Sequence, residues 1–424
     1  MDRKELFKYL IKEFQELELP PVFLRDLVIP TTNKIVTLVG PRRSGKTFYF
    51  YQIIKNLAVP KNRILYLNFE DDRILPLDVK ELDSLLEAYY ELYPQNKSEQ
   101  IYLFFDEIQN IPLWELYLRR IYDKEKVKIF ITGSNSKLLS QEIATHLRGR
   151  TLVFYISVLS FKEFLRFKGL QVDLHSAYSK DRFQIKKLFE QYLTLGGFPE
   201  VALEKANLER EILSNYYEIM IYKDIVDRFS VRNTLLLKSL SKFLLTNIAS
   251  PFSVNAYYTS LKNTTAIGKE TLFEYIAHLE DASMVFLVSL FSYSLKIQQV
   301  NPRKVYCIDN GLRNVVSFTF SADEGRLAEN LVGIELRRKQ QEFYYWRNKG
   351  EVDFIVKNKD RSMSAINVTY TNEIPNREVE SLQEFKQFSK SKIKELLILT
   401  RDLEKQEQGI RYIPLWKWLL QNAL

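Results

Sequence analysis

Cysteine is nearly absent from this 424-residue chain: Cys307 stands alone, which excludes any disulfide within it. Histidine is scarce too, and His146, His175 and His278 are scattered without the paired spacing of a zinc site. Apolar runs are short. None approaches the roughly eighteen residues of a membrane-crossing helix, and the opening MDRKELFKYLIKEF is amphipathic and charged, unlike a secretion leader. These absences lead us to expect a cytoplasmic protein with no membrane partner and no resident metal other than one brought by a nucleotide.

What is present describes a folded, multidomain chain. Hydrophobic residues make up 46% and charged residues 27%, a balance that excludes disorder as the main state. The length exceeds what a single core usually fills, so two or three domains are expected. Net charge is +8. Residues 1–229 carry 34 Lys and Arg against 32 Asp and Glu, whereas residues 230–424 carry 27 against 21, so the basic excess lies mostly in the second part. That bias favours a polyanionic partner, and DNA is the expectation, although a solvated surface of this balance is common.

Residues 40–47 read GPRRSGKT, a glycine, four residues, then Gly-Lys-Thr, and they follow the β-branched run 34–39 and precede a helical run at 48–57. Strand, glycine-rich loop and helix are what a phosphate cradle requires. Gly40, Pro41, Arg42, Arg43, Ser44, Gly45, Lys46 and Thr47 are therefore the candidate ATP-binding residues, with Lys46 reaching the terminal phosphates and Thr47 holding Mg2+. About sixty residues on, the apolar run 101–105 ends in Asp106 and Glu107. Asp106 is the second candidate Mg2+ residue, and Glu107 is placed to orient or deprotonate water.

A third strand at 127–132 ends in Gly133-Ser134-Asn135, which makes Asn135 a candidate for contact with the γ-phosphate, though a polar strand-end turn also forms without a catalytic reason. A helix over 136–147 then leads to Arg148-Gly149-Arg150, before a fourth strand at 151–156. In ring-forming ATPases an arginine at this edge faces the neighbour's γ-phosphate, so Arg150 or Arg148 is a candidate finger; the alternative is a cation closing a helix C-terminus.

Downstream, residues 158–227 read mainly as helix, broken at Leu195-Gly196-Gly197-Phe198-Pro199. Helices at 232–248, 253–261 and 268–281 precede two expected strands at 284–291 and 295–308, the order of a winged helix. The third of these helices carries Glu270, Glu274, Glu280 and Asp281, so Arg303 and Lys304 in the wing are the better phosphate contacts. A helix at 326–340 and strands at 342–346, 351–356 and 364–369 follow, with Glu329 or Glu335 on the helix and Asp353 on a strand. This is the order of a PD-(D/E)XK nuclease core. An acidic residue and a lysine are expected two apart on the last strand; the chain has Asn367-Val368-Thr369 there.

Taken together, GPRRSGKT, FFDEIQN, FITGSN, LRGR with LSFKEFL, GGFPE, KVYCIDNGLRN and YYWRNKGEVDF resemble the prokaryotic AAA+ ATPases with a winged-helix region and a C-terminal nuclease-like domain of unknown function. The resemblance spans nearly the whole chain. It implies an α/β fold with a P-loop AAA+ core at 1–157, a helical lid at 158–229, a winged helix at 230–318 and a small nuclease-like domain, poor at cutting, at 319–424. It further implies ATP hydrolysis with Mg2+, self-association into a hexameric or heptameric ring, and remodelling of DNA, with branched or Holliday junction DNA as a substrate. The alternatives are a nucleotide-gated switch acting on a protein partner, and a defence-type ATPase-nuclease that uses Lys357 or Lys359 in place of the missing lysine.

Overall fold

The computed structural model describes residues 2–133, 147–173, 176–262, 267–317 and 323–421. They divide into two compact units, Met1–Ser157 and Val158–Leu424.

Unit 1 is built on five parallel strands, β1 (Ile35–Val39), β2 (Ile64–Asn68), β3 (Ile101–Asp106), β4 (Val127–Gly133) and β5 (Thr151–Tyr155), in the order β2-β3-β4-β1-β5. The continuous apolar runs of β1 and β3 suit strands covered on both faces. Alternation of side chains then feeds two cores. Ile35, Val39, Leu103 and Phe105 pack with Phe7, Leu10 and Ile11 of helix Arg3–Glu16 and with Trp114 and Tyr117 of helix Trp114–Lys124. Val36, Leu38 and Phe104 face the other way, onto Phe50 and Ile54 of helix Lys46–Asn56. The rings of Phe104 and Phe130 stack at 4.6 Å on that face. Register matters most for the chemistry: Val39 lies beside Gly133, and Phe105 beside Ile131, so β1, β3 and β4 end together at one edge of the sheet.

In unit 2, the segments expected as lid, winged helix and nuclease-like domain share one hydrophobic core that runs from Val158 to Leu420. Among the helices from Phe161–Phe167 to Lys269–Asp281, Thr234–Thr246 and Lys269–Asp281 pack against a three-stranded antiparallel sheet, in which β8 (Arg303–Cys307) lies between β6 (Ser250–Phe252) and β7 (Val285–Val288). Helix Glu324–Arg338 leads to a six-stranded mixed sheet of β9 (Glu342–Arg347), β10 (Glu351–Lys357), β11 (Met363–Thr369), β12 (Ile393–Thr400), β13 (Lys405–Glu407) and β14 (Ile410–Pro414), ordered β13-β14-β12-β11-β10-β9.

Two expectations for this unit are corrected. The strand expected over 295–308 is a helix, Leu295–Val300, followed by the short β8. Leu295 and Val300 are exposed, so they do not face a sheet, and Pro302 separates the two elements. Lys304 is no phosphate contact: it is 1% exposed, with three carboxylates around its ammonium.

Candidate nucleotide site

The loop after β1 is shaped by steric necessity. A Cβ at Gly40 would lie 2.1 Å from the Ile156 carbonyl oxygen, and Gly45, at φ 93°, turns the chain into helix Lys46–Asn56 in the left-handed region. The first amides of that helix have no intrahelical acceptor and form the positive end of its dipole. Arg25, from the segment before β1, braces the loop by donating to the Ser44 carbonyl and to the Ser157 carbonyl, both at 2.8 Å.

Lys46 is buried, and its ammonium donates to the carbonyls of Gly40 at 3.3 Å and Pro41 at 3.2 Å, with a Glu107 carboxylate oxygen at 3.6 Å. The loop and the end of β3 meet at Asp106, whose carboxylate accepts from the Thr47 hydroxyl at 2.6 Å and the Tyr66 hydroxyl at 3.0 Å, and also from the Thr132 hydroxyl. Burial pushes the Asp106 carboxyl above its usual range, even though these hydroxyls pull it down. The Tyr66 phenol is raised as well, first by burial and then by that carboxylate.

Glu107 leaves the strand with φ 52°, its amide donating to Thr132 Oγ1 at 2.8 Å and its carboxylate accepting from Gln109 Nε2 at 2.6 Å. A non-glycine residue in this region is strained, and the hydrogen bond to Thr132 is one of the contacts that hold it there. Thr132 thus links both acids. Neither it, Tyr66, Gln109 nor Arg25 was among the sequence candidates; the only clue to Thr132 was a hydroxyl inside the apolar run of β4.

The residues present fit a magnesium-bound nucleoside triphosphate. Ser44 Oγ is buried inside the loop without a hydrogen-bond partner among the described residues, Gly40 leaves open the backbone space that a Cβ would close, and Thr47 with Asp106 offers two oxygens side by side.

The other candidates are placed differently. Arg42 pairs with Glu70 at 3.0 Å, and Arg43 takes the left-handed φ of 66°. Asn135 lies outside the described residues. Arg150 precedes β5, where its carbonyl accepts from the Ile35 amide, so it sits at the amino edge of the sheet, opposite the loop. Its guanidinium grips Asp123 through two bonds of 2.9 Å. Arg148, exposed and at φ 44°, has no ion pair among the described residues. Since β1 alone spans about 16 Å, the structure does not bring either arginine to the loop of its own chain.

In unit 2, Glu329 of helix Glu324–Arg338 and Asp353 of β10 come together, each bonded to Lys304, at 3.0 and 3.1 Å. Glu335 does not join them; it pairs with Arg338 at 3.0 Å. Lys357 pairs with Glu342 at 3.1 Å, four residues along β10 from Asp353, and Lys359 is exposed.

Residues 32–165 match the family model described as "AAA domain", residues 186–323 one described as "Domain of unknown function (DUF8612)", and residues 324–418 another, "Domain of unknown function (DUF4143)". An uncharacterized protein of Methanocaldococcus jannaschii is 36% identical, covering 99% of this chain and 96% of its own length. The chain belongs to that protein's family. An uncharacterized protein of Haemophilus influenzae is 31% identical across 94% of the chain and 98% of its own length. Among solved structures, a Walker-type ATPase of Pyrococcus abyssi is 14% identical with a TM-score of 0.45, covering 74% of this chain and 95% of its own. The Orc1 protein of Aeropyrum pernix in complex with DNA is 12% identical with a TM-score of 0.34, covering 79% and 93%. Likeness at that level carries no argument about activity. This chain carries an AAA-type, nucleotide-binding P-loop domain over residues 32–165, and no described helix is long and apolar enough to cross a membrane.

Proposed function

We infer that the chain is a Mg2+-dependent ATPase that assembles with copies of itself and remodels DNA, branched junctions included. The observation that carries the catalytic half is the meeting of Thr47 and Asp106 at 2.6 Å beside Glu107 and Lys46, because it joins a phosphate loop, a cation-binding pair and a base. When bound, Mg2+ neutralises charge on the phosphate oxygens. Lys46 and the loop amides bind the phosphates, Thr47 and Asp106 hold the cation, and Glu107, steadied by Gln109 and Thr132, orients water and takes its proton. Asn135 is the proposed γ-phosphate sensor. The arginine finger comes from a second copy, and Arg148, without an ion pair among the described residues, suits it better than Arg150, which Asp123 holds.

The DNA half rests on the basic excess of residues 230–424. Helices 234–246, 254–261 and 269–281 with the β6-β8-β7 sheet support a winged helix over 230–318, and the helix, β9, β10, β11, helix, β12 order supports a nuclease-like fold over 319–424. Residues 158–229 are read as the lid. The single, buried cysteine suits the cytoplasm.

The test is steady-state ATP hydrolysis without DNA and then with single-stranded, duplex and four-way junction DNA at fixed low salt. The parent is expected to hydrolyse ATP faster on one of these DNA forms. Glu107→Gln should bind ATP but turn over at least ~100-fold more slowly. A Glu107→Gln protein as fast as the parent would remove the catalytic assignment, whereas activity indifferent to every DNA would move the reading to a nucleotide-gated switch acting on a protein.

A further inference from the structure

The nuclease-like reading of residues 319–424 carries the expectation of a divalent cation between acidic side chains, and the side chains present do not fit one. Lys304 enters from β8 and places its ammonium 3.0 Å from Glu329 Oε1, 2.6 Å from Glu351 Oε1 and 3.1 Å from Asp353 Oδ1. An ammonium has three N–H donors, and here three carboxylates surround it. Divalent cations hold carboxylate oxygens at about 2.0–2.6 Å, whereas the Glu329 and Asp353 oxygens stand 3.0 and 3.1 Å from the centre that the ammonium fills. Among the described residues, no group of acidic, histidine or cysteine side chains is arranged to hold a metal.

The surroundings fix this arrangement. The Tyr306 hydroxyl donates to Glu329 Oε1 at 2.7 Å, and the Val368 amide donates to Asp353 Oδ2 at 2.9 Å. Asn367, at the position expected to be acidic, turns its amide to Glu378 Oε2 at 2.9 Å and Ser381 Oγ at 3.0 Å and adds no charge to the cluster. Burial, then the Asp353 carboxylate, push the Glu329 carboxyl up to about 7. Lys304, by contrast, stays charged: burial acts against its ammonium, but the surrounding carboxylates win and raise it well above its usual value.

We propose that Lys304 is a built-in cation that takes the place of a divalent metal in the Glu329–Glu351–Asp353 cluster, making this cluster a closed structural centre of unit 2 that neither binds metal nor cuts DNA. The inference is separate from the nucleotide chemistry of unit 1, and ATP hydrolysis is not its readout. Removing the ammonium should leave three carboxylates facing one another around an opened space, which is what a hard cation requires.

The experiment uses the full-length, nucleotide-free protein with Mn2+ as the probe, counting bound ions by electron paramagnetic resonance and following Tm with and without Mn2+. The parent is expected to show no ion at the cluster and no Mn2+-dependent Tm. Lys304→Ala should lower Tm by roughly 10 °C, take up one Mn2+ per chain and regain most of the lost Tm with it. Adding Asp353→Asn to Lys304→Ala should abolish that uptake. Lys304→Met, which removes the charge but keeps the space filled, should lose Tm without rescue by Mn2+. A folded Lys304→Ala protein that binds no Mn2+ overturns the proposal. The parent decides it too: Mn2+-dependent DNA cutting by the parent, whether or not a variant folds, or a tightly bound Mn2+ that a folded Asp353→Asn protein loses, would show an open metal centre.

Discussion

Asp309 accepts hydrogen bonds from the amides of Gly197 at 2.6 Å and Leu312 at 2.9 Å, capping helix Asn310–Val316 and tying the GGFPE turn to it. Those amides favour its charged form, yet burial outweighs them and pushes the carboxyl up to about 6. A carboxyl raised on folding binds its proton more tightly in the native state, so its contribution to stability falls as pH rises from about 4 to about 6. Asp309→Asn cannot titrate. Denaturant unfolding of parent and variant across pH 4 to 7 should therefore show the parent losing up to about 3 kcal/mol relative to the variant as pH rises. A stability difference constant across that window would mean that Asp309 is ionised throughout.

At the scale of elements, the same junction depends on backbone packing. A Cβ at Gly311 would lie 2.0 Å from the Leu195 carbonyl oxygen, so helix Asn310–Val316 comes within backbone reach of the end of helix Arg182–Leu195, where the Asn310 and Asn314 amides also donate to the Leu193 and Thr194 carbonyls at 2.9 and 2.8 Å. Gly311→Ala should cost about 1–3 kcal/mol and lower Tm by several degrees in thermal unfolding. An unchanged Tm would show that the helices separate freely. Contacts of this kind explain what could be read in advance. The phosphate loop and the Asp106-Glu107 pair were legible because their chemistry demands fixed residue types within a few positions, between strands with strong β-branched or apolar character. Arg25 and Thr132 were not, since each acts through a fold that joins distant segments. Lys304 shows the limit most clearly: a lysine in an expected wing reads as solvent-exposed, and its partners Glu329 and Asp353 stand 25 and 49 residues away. Residues 295–308 were misread for a different reason. An apolar run interrupted by glutamines suits strand and helix alike, and only the exposure of Leu295 and Val300 decides between them.

For the whole molecule, the decisive geometry is that Arg148 and Arg150 lie at the amino edge of the unit 1 sheet and the phosphate loop at its carboxyl edge. If either of these two arginines completes a site, that site is another copy's, and what holds each side chain separates the two candidates. Arg150→Ala removes only a solvent-screened pair with Asp123 and should leave turnover largely intact. Arg148→Ala should reduce turnover at least ~100-fold without weakening ATP binding, because the guanidinium acts on charge that develops during transfer. Mixing then tests the assembly. In a one-to-one mixture of inactive Arg148→Ala and inactive Glu107→Gln chains, about a quarter of the contacts unite an intact Glu107 with an intact Arg148, so a comparable fraction of parent activity should return. Recovery that rises and falls with mixing ratio would identify a shared site. No recovery at any ratio, with both variants folded and exchanging subunits, would make each chain catalytically self-sufficient and return Arg148 to a surface role.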